Sequence, residues 1–215
     1  MVTSVPNNDL RVRYGLALLL LAASAPLLGR AEAVKFGDNP TWESKSLSLD
    51  GKTNLLVLAD FHLRTQTGYT IDAGEARTHD ANNFRNSRWV FSDKVTFTLP
   101  TGRISADNAV VTFVDNQISE LHVTGSPASF EHRDDAKKLI ARGSAGAMDY
   151  VLAENTVKLS EQAWVSTGQN ECRAAAMVYN LAEQRLSAAS TDQNGQRVSC
   201  TVVTTDNKTE AVGKP

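Results

Sequence analysis

The chain has 215 residues, a formal net charge of −2 and two cysteines. That length buries a sizeable core without help from metal sites or a dense disulfide framework. The lack of a basic excess removes the electrostatic footprint a nucleic-acid binder needs.

Arg11 and Arg13 precede an apolar run from Tyr14 to Leu28, and Ala31-Glu32-Ala33 follows with a small-residue cleavage site after Ala33. This order reads as a secretory signal peptide over residues 1–33. The run is shorter than the roughly 20 residues of a membrane-spanning helix, and an uncleaved anchor over residues 14–28 stands as the alternative. Cleavage leaves 182 residues from Val34, with 19 basic side chains against 22 acidic ones. No second hydrophobic segment follows, so the exported body is expected to be soluble.

Beyond the leader the residues predict short strands separated by turn signals. Trp42–Asp50 and Asn54–Gln66, the latter containing Leu55-Leu56-Val57-Leu58, form a first strand pair. Ile71–Pro100 reads as a further repeat interrupted by a polar loop, Thr78–Ser87; Trp89, Phe91, Val95, Phe97 and Leu99 then make a β-rich run closed by Pro100-Thr101-Gly102. Ile104, Ala106 and Asn108 alternate with Ser105, Asp107 and Ala109 as the chain enters Val110–Val114, and Asp115-Asn116 supplies a turn. Ile118, Leu121 and Val123 resume before Gly125-Ser126-Pro127, Asp134–Lys138 forms a polar hairpin tip, and Arg197–Val203 makes a last strand before a polar tail over residues 204–215. β-Branched and aromatic runs punctuated every 8–12 residues argue for an all-β meander. One folded domain over residues 34–203 is expected.

Internal repetition sharpens this reading. Ala145–Leu159 and Ala174–Ala188 share seven of fifteen residues at an offset of 29, and fainter copies start at Ala106 and Ala73. A period of this size means one supersecondary unit stacked several times. The alanine-rich stretches 145–155 and 171–190 favour helix in isolation. Their alignment with Ile104–Ile118, whose Val110-Val111-Thr112-Phe113-Val114 core prefers strand, assigns them to strands.

No catalytic constellation emerges. His62, His79, His122 and His132 lack metal-type spacing; His62 and His122 fall on strands as half-exposed residues, and His132, between Glu131 and Asp134, reads as part of a solvated charge cluster. Gly143-Ser144-Ala145-Gly146 lacks the pattern of a nucleophile elbow. Neither an enzyme nor a cofactor or metal site is expected. Cys172 and Cys200 are candidates for one disulfide in an oxidising compartment, on the order of 3–4 kcal/mol in the chain-entropy account. Spacing alone leaves open whether their Cα atoms come close enough.

The repeat pattern, Ala-x-x-[Ala/Met]-x-[Tyr/Val], a turn, Val/Leu-x-Leu and a β-run ending near Gly, resembles the OstA-like repeat of the LptA family of periplasmic lipopolysaccharide-bridge proteins. Asn39–Asn54 resembles that family's first strand pair, Gly125-Ser126-Pro127-Ala128-Ser129-Phe130 its Gly-x-Pro-Ala-x-Phe turn, and Arg185–Ala189 with Gly195–Val198 its final strands. The likeness spans Asn39 to Val203; the repeat over residues 71–100 looks closer to LptC, and the cysteines depart from the pattern.

The resemblance implies a twisted, open β-jelly roll with a V-shaped apolar groove. It also implies a periplasmic carrier that binds lipopolysaccharide and passes it from an inner-membrane LptC-like protein to an outer-membrane LptD-like translocon, with end-to-end self-association. Period-2 alternation then nominates Ile71, Phe91, Val95, Phe97, Ile104, Ala106, Val111, Phe113, Leu121, Val123, Phe130, Met148, Tyr150, Val157, Leu159, Trp164, Met177, Tyr179 and Leu186 as groove lining. The small alanines at the repeat starts are expected to keep the trough wide. Trp42, Ser46 and Leu49 at one end, and Val198, Thr201 and Val203 at the other, are the edge residues expected to meet partners. Two other readings use the same residues: an LptC-like protein anchored by residues 14–28, and a structural β-repeat module that binds proteins without lipid.

Overall fold

The structure, a computed structural model, describes residues 41–151, 154–168, 170–189 and 197–202. The leader over residues 1–33, Val203 and the tail over residues 204–215 lie outside them. Twelve strands are described: β1 (Thr41–Glu43), β2 (Ser46–Asp50), β3 (Leu55–Arg64), β4 (Thr70–Thr78), β5 (Ser87–Leu99), β6 (Gly102–Val114), β7 (Gln117–Arg133), β8 (Leu139–Val151), β9 (Thr156–Ser166), β10 (Asn170–Asn180), β11 (Arg185–Ala189) and β12 (Ser199–Val202). They form one antiparallel sheet in which β3 to β10 follow chain order; β1 and β2 both pair with β3, and β11 and β12 both pair with β10. No helix among the described residues is long and apolar enough to cross a membrane. The alanine-rich copies are strands, β8 and β10. Pairing on both sides overrides their helical propensity.

The long strands do not run straight. A 17-residue strand such as β7 would span about 56 Å if fully extended. Instead, each long strand breaks near its middle. The ladder register slips between Asp72 and Glu75, Ser92 and Val95, Ser105 and Asn108, Thr124 and Ala128, Ser144 and Ala147, and Ala174 and Ala176. Asp60, Asp93, Lys94, Glu161 and Gln162 take left-handed backbone angles at these breaks, as bulged strands do when they bend. Phe91 and Phe97, on one strand and six residues apart, have ring centroids 6.1 Å apart, where a straight strand would separate them by about 20 Å.

The aligned bulges crease the sheet into two facing walls. The first wall holds β2, the halves of β3 to β10 that include residues 55–59, 75–78, 87–92, 108–114, 117–124, 147–151, 156–160 and 176–180, and β11. The second holds β1, the complementary halves and β12. Each repeat copy is one hairpin of the first wall, starting at the crease: residues 147–151 lead into β9, and residues 176–180 into β11.

The repeat alanines have a role other than the expected widening. Ala73, Ala106, Ala145 and Ala147 are buried at the crease, where the strands fold over one another. A Cβ on Gly74 would lie 2.7 Å from the Asp93 Cβ, and one on Gly146 2.8 Å from the Glu161 Cβ. Small residues therefore let the crease close.

Candidate functional site

The space between the walls is an apolar furrow. Its first wall contributes Phe91, Val111, Phe113, Leu121, Val123, Met148, Tyr150, Val157, Leu159, Met177, Tyr179 and Leu186; its second contributes Ile71, Val95, Phe97, Ile104, Ala106 and Phe130. Tyr150 and Leu186 are half-buried, and the other sixteen are buried. Leu56, Leu58, Phe61 and Trp89 belong to the same buried cluster. Trp89 carried a usable signal, because it shares the parity of Phe91.

Trp164 does not belong. Val157 and Leu159 point inward, the bulge at Glu161 and Gln162 shifts the parity, and Ala163 and Val165 take the inward positions. Trp164 therefore stands on the outer face, with the Arg142 and Arg173 guanidinium carbons 5.4 Å and 5.8 Å from its ring centre. The same effect overturns the alternation drawn through Asn108: the bulge leaves Asn108 exposed and turns Ala109 inward. A one-residue slip moves every later side chain to the other face.

His132 also departs from its expected place. It is buried on the second wall rather than solvated, and its Nδ1 lies 3.1 Å from the Tyr179 hydroxyl oxygen on the first. Burial pushes the His132 pKa down, with Asp134 pulling the other way, and pushes the Tyr179 phenol up. Burial likewise raises Tyr150, with Tyr69 adding to it. His62 and His122 sit on the outer face, where their Nδ1 atoms lie 2.7 Å and 2.6 Å from carboxylate oxygens of Asp72 and Asp149. Asp72 raises the His62 pKa by hydrogen bonding and charge, and Asp60 adds to it. Among the described residues no group of three or more His, Cys, Asp or Glu is placed to hold a metal ion.

The furrow is packed in its middle and uncovered at its ends. Leu47 and Leu49 pair with Leu58 and Leu56 and continue the inner face onto β2, yet they are 56% and 55% exposed. Trp42, opposite Leu63 on β1, does the same for the second wall. Beside it an apolar cleft of about 60 Å³ opens between the walls, lined by Trp42, Phe61, Leu63, Phe84, Trp89, Phe91, Phe113 and Asn116. At the far end Val198 and Val202 are exposed. Among the described residues, Ser46 at the first end and Thr201 at the far one lie on strands with a partner on one side only. Cys172 and Cys200 are directly opposed, 4.1 Å apart at Cα, and bonded to each other. The disulfide staples β12 to β10.

A creased, open antiparallel sheet with an apolar interior, and with two edges unpaired among the described residues, defines a class of β-jelly-roll proteins built from strand repeats. Residues 70–185 match the family described as LptA/(LptD N-terminal domain) LPS transport protein, and the chain belongs to that family. Among solved structures it is similar to LptH, the LptA-homologous periplasmic component of the lipopolysaccharide transport device of Pseudomonas aeruginosa, with a TM-score of 0.49 and 15% identity over 76% of this chain and 94% of that one. No curated protein matches it by sequence.

Proposed function

We propose that this lipopolysaccharide-transport protein shelters the acyl chains of lipopolysaccharide in its furrow, in the periplasm, and hands them between inner-membrane and outer-membrane components. An acyl chain of a dozen carbons needs shelter worth about 10 kcal/mol, at roughly 0.8 kcal/mol per methylene. The observation that carries the reading is the inner face running out uncovered at both ends, through Leu47 and Leu49 on one side and Val202 on the other. An apolar track that stops at a strand edge is completed when another sheet pairs with that edge. An LptC-like partner, an LptD-like partner or a second copy could each supply it.

The packed middle favours one other reading, a structural β-repeat module that carries no lipid: Val111, Val123 and Leu159 are almost wholly buried. One experiment separates the two. With a photo-crosslinking residue at Phe97, Phe113 or Val157 in intact cells, the carrier is expected to give lipopolysaccharide adducts, and a set of adducts with protein alone assigns the structural role. Crosslinkers at Ser46 and Thr201 test the edges, and should capture protein partners. The mature N-terminus decides between release and anchoring: a start at Val34 supports a free periplasmic form, and retention of residues 14–28 an anchored one.

A further inference from the structure

We propose that His132 and Tyr179 form a latch across the furrow that must part for an apolar chain to pass through its C-terminal half. This rests on the lipid-carrying reading above.

The two residues come from different walls. His132 lies on the second-wall half of β7 and Tyr179 on the first-wall half of β10, and β8 and β9 separate these strands within the sheet. Their contact is therefore made across the interior. Tyr179 is completely buried; the Phe130 ring stacks on it at 5.8 Å between centroids, and the His132 ring meets it edge-on at the same distance. Hydroxyl and Nδ1 share a hydrogen bond of 3.1 Å. Toward the N-terminus lies the open aromatic cleft, and toward the C-terminus the uncovered inner face of β11 and β12. Within the packed middle that separates them, Phe130, His132 and Tyr179 join the two walls.

The chemistry suits a reversible closure. A permanent seal would be better served by apolar packing, since a hydrogen bond buried in an apolar interior contributes little net stability when made and is costly when half-made. The charged neighbours of His132 are Glu131 and Arg133, paired with each other at 2.6 Å, and Asp134 at the hairpin tip. Its register neighbours Gly102 and Ala141 carry no charge, and β10 presents only the Tyr179 phenol. Among the described residues, Asp134 is the carboxylate that acts on the ring, and no facing strand brings another to it. The closed state favours neutral imidazole, so it weakens as pH falls below the ordinary histidine value of about 6.5.

The test uses the full exported protein, purified lipopolysaccharide and a diazirine-bearing aliphatic residue at Met177, on the buried face of β10 beside Tyr179, or at Phe84, at the lip of the cleft. With the latch residues intact, the adduct at position 177, normalised to position 84, is expected to rise about fivefold between about pH 7.5 and about pH 5.5, within the roughly tenfold that placing a charged imidazolium in the apolar interior allows one pH unit below 6.5. Tyr179→Phe should give a similar rise at the higher pH, and His132→Gln should abolish the pH response. Equal yields at both pH values with unaltered His132 and Tyr179, alongside adducts at position 84, overturn the latch and leave carriage standing. Absence of lipopolysaccharide adducts at both positions under every condition overturns the carrier reading, and the latch with it. The pH comparison needs no change at either latch residue, so a variant that fails to fold does not spoil the test.

Discussion

The N-terminal and C-terminal halves of the furrow are built from the same creased hairpins but closed by different means. In the first half Phe61, Trp89 and Phe91 form an aromatic cluster with centroid separations of 5.6–6.0 Å. A polar loop borders it, accepting hydrogen bonds at the Asn86 side-chain oxygen and the Arg85 carbonyl from the β6–β7 turn and laying Phe84 against Trp89. In the second half two walls meet through Phe130, His132 and Tyr179, and a disulfide fixes the last strand. Apolar packing fills space without dictating how wide the gap stays. A hydrogen bond and a covalent link each fix a distance. The same repeat can thus be tuned at one end to accommodate and at the other to constrain.

The sharpest way to break this contrast is Phe91→Ala. Phe91 touches Phe61, Trp89 and Phe97 and is almost fully buried, so its truncation is expected to cost about 4 kcal/mol, read from the shift in the urea midpoint. A loss below about 1 kcal/mol would mean that the aromatic half can collapse onto the cavity. Next in size is the disulfide. Replacing both Cys172 and Cys200 with Ser should cost about 3.5 kcal/mol in the chain-entropy account, and hydrogen exchange should show β12 losing protection before β3 to β6. Loss of protection throughout would show that the staple holds more than its own end. The smallest effect lies on the outer face, where His62 should titrate above the ordinary 6.5 because Asp72 stabilises its charged form. That contribution is present below about pH 6.5 and lost as pH rises through the raised value. Asp72→Asn should return the NMR titration midpoint toward 6.5.

Much of the architecture could be read from residue order. The alanine-led copies marked the hairpins, Asp115-Asn116 marked a turn in which both residues take left-handed angles, and sixteen of the nineteen residues nominated by alternation are buried. The bulges were the illegible part. A strict period of two has no way to announce a skipped residue, and Glu161 and Gln162 carry no glycine to betray their backbone angles. Trp164 followed from that blind spot. His132 was missed for a different reason: its sequence neighbours are charged, and only the fold reveals that they point outward while it points in. Cys172 and Cys200 could be named as a pair, but their direct opposition depends on β12 returning beside β10 after β11 has already paired with it.

The crease has a consequence for length. Because β3 to β10 each cross it and contribute to both walls, a strand inserted into this sheet lengthens both sides of the channel by the same 4.7–4.9 Å rung. The two sides cannot fall out of step. Adding or deleting hairpins changes the reach of such a protein in fixed increments while its cross-section stays constant, so the number of repeats works as a graduated scale for the distance it covers.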